Sequence, residues 1–153
     1  MKLQPLDPFH PEALALLKAS DDFHAALYPA ESNHLLDPAA LLPPQVLLLG
    51  AHAEDGRLLG MGAVRRCEAA GTRYVELKRF FVRDDARGRG VAAALLQALE
   101  AAARAEGFAC ARLETGIHQP EALRFYRAAG YQDCGPFGDY APDPLSVFME
   151  KPL

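Results

Sequence analysis

Hydrophobic and polar positions along this 153-residue chain change period several times, and each change predicts an element. Between positions 10 and 27, Leu14, Leu17, Phe23 and Leu27 recur at loosely helical intervals. Ser20-Asp21-Asp22 interrupts the run and predicts a break, with these residues capping a second helix that Pro29 ends. Pro29, Pro38, Pro43 and Pro44 then predict a loop with one helical turn. Beyond it the pattern reads as strands. Strands are expected at 45–53, 58–68 and 74–82, joined by turns at Glu54-Asp55-Gly56 and Ala70-Gly71, as an antiparallel meander. The strongest helix runs over 90–106, where Val91, Ala94, Leu95, Ala98, Leu99 and Ala102 form one apolar stripe and Gly107 takes the C-terminal cap. A strand at 109–114 follows, then a helix at 120–129 opened by Pro120 and closed by Gly130. Segments 131–134 and 146–150 read as a final strand pair around a Gly/Pro-rich loop.

The strand, crossing helix and strand over 74–114 predict one parallel pair inside a mostly antiparallel sheet. With helices on both faces, the fold class is α+β, and the length suits a single domain over 1–153.

Composition narrows the partners. Half the residues are hydrophobic, 24% are charged, and the formal net charge is −4. That balance suits a globular chain and argues against broad binding to nucleic acid or an anionic membrane. No apolar run approaches the length of a bilayer span, and Met1-Lys2-Leu3-Gln4-Pro5, followed by Asp7 and Pro8, lacks a secretion-signal core. Cys67, Cys110 and Cys134 are odd in number and widely spaced, so reduced thiols in a cytoplasmic setting are expected. Neither they nor the five histidines show metal-ligand spacing.

The segment from Val82 to Ala92 carries the most specific chemistry. A strand pattern enters a charged turn, Arg87-Gly88-Arg89-Gly90, and leaves as the long helix. The first N–H groups of a helix have no intrahelical acceptor and sit at the positive end of its dipole. Glycines there let an anion approach the backbone, and the arginines add charge. Glycines before a helix are also plain turn residues. Two phosphate-binding motifs can be excluded: no Lys-Ser or Lys-Thr follows as in a P-loop, and position 93 is Ala where a dinucleotide fingerprint needs Gly.

What remains is Arg87-x-x-Gly90-x-Ala92, which resembles the Arg/Gln-x-x-Gly-x-Gly/Ala acyl-CoA motif of the GNAT acetyltransferases. The resemblance extends over about 74–132: Glu76 to Val82 is similar to that family's central strand, Leu113-Glu114-Thr115-Gly116 to its next strand, and Ala122 to Tyr131 to its tyrosine-bearing helix. It implies a sheet splayed at the parallel pair, with acetyl-CoA as co-substrate and no metal. It implies that Arg87, Gly88, Arg89, Gly90, Val91 and Ala92 hold the pyrophosphate. Phe81 and Val82 would lie beside the pantetheine arm, one of their N–H groups facing the thioester carbonyl, and Gln119 matches a pantetheine-contacting position. Tyr126 would be the acid for the leaving thiolate, and Glu76 the proton acceptor, acting through water.

Each assignment has a structural alternative. Tyr126 also reads as a core aromatic beside Phe125, and Glu76 as a salt-bridge partner of Lys78 or Arg79. Strand alternation puts Tyr74, Glu76, Lys78, Phe80 and Val82 on one face. Resemblance points to Tyr28–His34 and Phe137–Tyr140 as the acceptor side, with Glu31, Asp139 and Glu114 available to attract an ammonium group, and His34 and His118 as further candidates. The expected activity is N-acetyl transfer to a small primary amine. A non-catalytic acyl-CoA-binding module and a protein lysine or N-terminal acetyltransferase stand as alternatives, and a homodimer is compatible.

Overall fold

A computed structural model describes residues 1–153. Its centre is a seven-stranded sheet, made of β1 (Lys2–Pro5), β2 (Val46–His52), β3 (Leu58–Ala69), β4 (Thr72–Val82), β5 (Cys110–Gly116), β6 (Gln132–Cys134) and β7 (Ser146–Pro152). The order across the sheet is β1-β2-β3-β4-β5-β7-β6. Every neighbouring pair is antiparallel except β4 and β5. The two last strands pair as the sequence predicts, and β7 also inserts between β6 and β5. β1 is a strand the periodicity does not reveal. It is four residues long, ends in Pro5, and occupies a sheet edge, where a missing N–H is tolerated.

Three helices cover the sheet: α1 (Pro11–Leu27), α2 (Val91–Ala105) and α3 (Pro120–Ala128). Two apolar clusters pack them. One joins Leu95, Leu96 and Leu99 of α2, with Tyr126 of α3, to Val75, Leu77, Ala111 and Leu113. The other joins Leu16 and Leu17 of α1 to Leu48, Leu58, Met61 and Ala63. No helix is long and apolar enough to cross a membrane.

Two sequence expectations are corrected here. The break at Ser20-Asp21-Asp22 does not occur, and α1 runs unbroken to Leu27. The aspartates are engaged elsewhere: Asp22 pairs with Lys18 at 2.9 Å and Asp21 with Arg79 at 2.6 Å, while Ser20 is buried. Side chains tied up in this way do not cap a new helix. The alternation along β4 also fails past Lys78. Met61 stands opposite Phe81 while Ala63 stands opposite Lys78, so β4 holds one extra residue. That residue is Arg79, at a left-handed φ of +54°. A bulge reverses the faces beyond it. Phe80 and Val82 therefore pack on the α2 side with Val75 and Leu77, away from the face of Tyr74.

Leu99 is fully buried between α2 and the sheet. Leu99→Ala should cost about 3 kcal/mol, read as a lower urea midpoint at unchanged m-value.

Candidate active site

The parallel pairing of β4 and β5 covers only Val75 opposite Ala111 and Glu76 opposite Arg112. Past these positions the strands diverge, β4 running to Val82 and β5 to Gly116. Two cavities meet in the wedge between them.

The larger is a groove of about 760 Å³. One end is the charged turn. Gly88 and Gly90 have φ of +76° and +78°, a conformation that L side chains rarely adopt, and open space lies where a Cβ would sit. No side chain caps α2, so its first N–H groups open onto this end. The two acids just upstream are neutralised, Asp84 by Arg87 at 3.1 Å and Asp85 by Arg57 at 2.8 Å. Arg87, Gly88, Gly90, Val91 and Ala92 line the groove, followed by Phe81, Val82, Phe80 and Phe125, and then Gln119 and Tyr126 at the far end. A long ligand with an anionic end and an apolar arm fits this sequence of surfaces, so these residues suit acyl-CoA. Arg89 is exposed on the same turn and does not line the groove.

The smaller cavity, about 100 Å³, is more polar. β5 contributes Glu114 and Thr115, β4 contributes Lys78 and Arg79, α1 and its following turn contribute Ser20, His24, Tyr28, Ser32 and His34, and α3 contributes Tyr126. Glu114 accepts a hydrogen bond from the Ser146 hydroxyl at 2.8 Å. Burial raises its carboxyl above the ordinary value, against opposing pulls from Ser146, His34 and Lys78. Glu31 and Asp139, expected beside an ammonium group, are exposed and line neither cavity. His118 lines the groove instead, stacked on Tyr28 at 5.6 Å between ring centres.

Tyr126 forms part of the wall between the cavities, together with Phe80, His24, Gln119 and Ala122. Its ring packs edge-on against Phe80, Phe125 and Tyr131, and its hydroxyl meets no hydrogen-bond partner in the chain. Burial pushes the phenol well above its ordinary value, so it stays protonated. The core reading of Tyr126 holds for its ring, and the residue also lines both cavities.

Glu76 is almost fully buried and lines neither cavity. Three donors hold its carboxylate: the Arg65 guanidinium at 3.1 Å, the Tyr140 hydroxyl at 2.5 Å and the Lys78 ammonium at 3.2 Å. The salt bridge to Lys78 is present, and the one considered to Arg79 is replaced by Arg65. Lys78 also donates to Tyr140 at 2.6 Å and to the His34 carbonyl at 3.2 Å. This cluster ties both covering loops, through His34 and Tyr140, to β4. Ser32 adds a 2.7 Å bond to Asp143 between the loops themselves.

Gln119 works as a clip. Its side-chain oxygen accepts from the Tyr28 hydroxyl at 3.0 Å and from the Gly116 N–H at 3.3 Å. Tyr28 lies so close to β5 that a Cβ on Gly116 would fall within 2 Å of its hydroxyl. Sequence reasoning gave His24 no role and Arg79 only that of a possible partner for Glu76. A histidine one turn after a buried serine looks like any partly exposed helical histidine, and a bulge at arginine carries no glycine signal.

Known proteins share the sequence pattern and the fold. The sequence model of the acetyltransferase (GNAT) family matches residues 13–131. The chain is 44% identical over 146 residues to a protein of Azospirillum brasilense named IAA acetyltransferase, covering 95% of this chain and 94% of that one. It is 38% identical to a Klebsiella pneumoniae protein of known structure, provisionally described as an acyl-CoA N-acyltransferase, with TM-score 0.85 and 99% and 97% of the two chains covered. An N-acetyltransferase of Thermoplasma acidophilum, solved with coenzyme A, shares the fold at TM-score 0.70 and 19% identity, with all of both chains covered.

Gly116→Ala should dislodge Tyr28 and open the clip. The measurable result is faster amide exchange over 28–34 and a stability loss of about 1–3 kcal/mol, set by the unsatisfied polar groups left behind.

Proposed function

This chain belongs to the acetyltransferase (GNAT) family, and from that premise we propose that it moves the acetyl group of acetyl-CoA directly onto a small primary amine held in the polar cavity. One observation carries the reading: the groove and the cavity share a wall that includes Tyr126. A thioester lying along the groove meets an acceptor at that wall, and no cysteine lines either cavity to relay the acyl group.

In this reading the pyrophosphate of acetyl-CoA rests on the N–H groups that open α2, with Gly88 and Gly90 giving access and Arg87 and Arg89 adding charge. The pantetheine arm runs beside Phe81 and Val82, in the gap where β5 has left β4, and pairs with backbone as an added strand would. An N–H of that stretch faces the thioester carbonyl and stabilises the oxyanion. Tyr126 gives its proton to the departing thiolate. Glu114 attracts the ammonium of the acceptor.

Glu76 takes a different part from the proton acceptor expected of it. With three donors on its carboxylate and no exposure to either cavity, it positions the loops that cover the acceptor. Cavity size supports a small acceptor over a protein lysine: about 100 Å³ is the liquid volume of roughly three waters. The name of the Azospirillum relative makes IAA a compound to test beside simple amines.

The experiment is thiol release from acetyl-CoA with ethanolamine, putrescine, glycinamide and IAA, paired with calorimetric titration of acetyl-CoA. Tyr126→Phe should lower kcat about 100-fold while acetyl-CoA affinity holds. An Arg87→Ala/Gly90→Glu variant should lose acetyl-CoA binding. Acetyl-CoA binding to that double variant as to the unaltered protein would remove the phosphate-turn assignment, and full turnover by Tyr126→Phe would remove Tyr126 as the acid.

A further inference from the structure

We infer that His24 is the group that takes the proton from the attacking ammonium, acting through Nε2 from the wall it shares with Tyr126. The inference rests on acetyl transfer to an amine as proposed above, and it names a residue for the one step left without a group.

Position comes first. Ionisable side chains line both cavities, but only His24 and Tyr126 line the two together. Glu114 reaches the acceptor cavity alone and is engaged by Ser146, while Glu76 reaches neither. A base must touch the acceptor nitrogen where that nitrogen meets the thioester, and the shared wall is that place.

The tautomer follows from a single contact. His24 Nδ1 lies 2.7 Å from the backbone carbonyl oxygen of Ser20, one turn earlier on α1. A carbonyl oxygen only accepts, so Nδ1 carries the hydrogen. In the neutral ring Nε2 then holds a free lone pair, and no group of the chain donates to it. The ring is fixed by stacking on Tyr28 at 6.5 Å and 29°, and by the edge contact with Phe23 at 5.4 Å. Helix, carbonyl and two aromatic rings thus orient the lone pair, as a base needs its second nitrogen oriented.

The surrounding charges keep the ring neutral. Burial has the largest effect and lowers its basicity. Arg79 of β4 acts in the same sense, while the Ser20 carbonyl and Asp21 of α1 act against them. Tyr28 of α1's C-terminal end, His34, Lys78 of β4, Glu114 of β5 and Tyr126 of α3 are the other titratable groups lining its cavity, with Arg87, His118 and Glu121 on the groove side. The net direction is below the ordinary imidazole value, so His24 is free to accept a proton at neutral pH.

The step balances. R–NH3⁺ gives one proton to Nε2, which passes it to solvent. The freed nitrogen pair forms the C–N bond, and the carbonyl pair moves to oxygen. As that pair returns, the C–S bond breaks, sulfur leaves with its electrons, and the Tyr126 proton goes to it. The second proton on the now strongly acidic nitrogen restores the phenol. Ammonium and thioester become amide, thiol and one released proton.

The test compares His24→Gln with the unaltered enzyme, using two acceptors: ethanolamine, which is protonated near neutral pH, and hydroxylamine, which is already neutral there. His24→Gln should lower kcat with ethanolamine about 100-fold and abolish the fall of kcat on the acid side of pH 6.5, while leaving hydroxylamine turnover within a few fold. Added imidazole should partly restore His24→Ala. In parallel, nitrogen NMR of the imidazole should report a proton on Nδ1 at pH 7 to 8. Equal losses with both acceptors, an unchanged pH profile, or a proton on Nε2 would each overturn the assignment. Absence of thiol release by the unaltered enzyme with every amine, hydroxylamine included, would instead remove the acetyl-transfer reading on which it rests.

Discussion

Parallel pairing between β4 and β5 stops after two register positions, and both cavities lie in the wedge this opens. Strands that remained paired to their ends would fill that space with ladder hydrogen bonds and leave no route for a substrate arm. The bulge at Arg79 reinforces the divergence. It holds a non-glycine residue at φ +54°, turns Phe80 and Val82 toward α2, and sends the arginine under α1 to Asp21. Backbone in that conformation costs on the order of 1 kcal/mol or more, and the pair between the buried Arg79 guanidinium and the half-exposed Asp21 carboxylate holds it in place. The strained residue also lines the polar cavity.

The second constraint is the cluster of Glu76, Arg65, Lys78 and Tyr140. The buried Glu76 carboxylate takes hydrogen bonds from Arg65, Lys78 and Tyr140, and Lys78 also donates to Tyr140. Their geometric effect is to fasten the loop carrying His34 and the loop carrying Tyr140 against one strand. Removing Glu76 leaves the buried Lys78 ammonium without its carboxylate, which costs more than the intact pair contributes. The polar cavity depends on that cluster for its walls, while the larger groove depends on the packing of α2 and α3 against the sheet.

Much of this was legible in the residues. The stripe of Leu95 and Leu99, the meander of β2 to β4, and the Gly88–Gly90 turn each carry a local signal of period or composition, and the structure keeps all three. What escaped depends on contacts distant in sequence. α1 stays whole because Asp21 finds Arg79, 58 residues away. Glu76 reads as available until Tyr140, 64 residues on, closes over it. β1 exists because an edge position was open beside β2. That Tyr126 packs its ring in the core and also lines both cavities is visible only in the assembled fold.

The central claim is that acetyl-CoA and acceptor are present together, on either side of that wall. Initial rates measured over a grid of acetyl-CoA and amine concentrations test it directly. Direct transfer predicts reciprocal plots that intersect, because both substrates must be bound before the acetyl group moves. Parallel lines, the signature of an acyl-enzyme formed before the amine arrives, would contradict it.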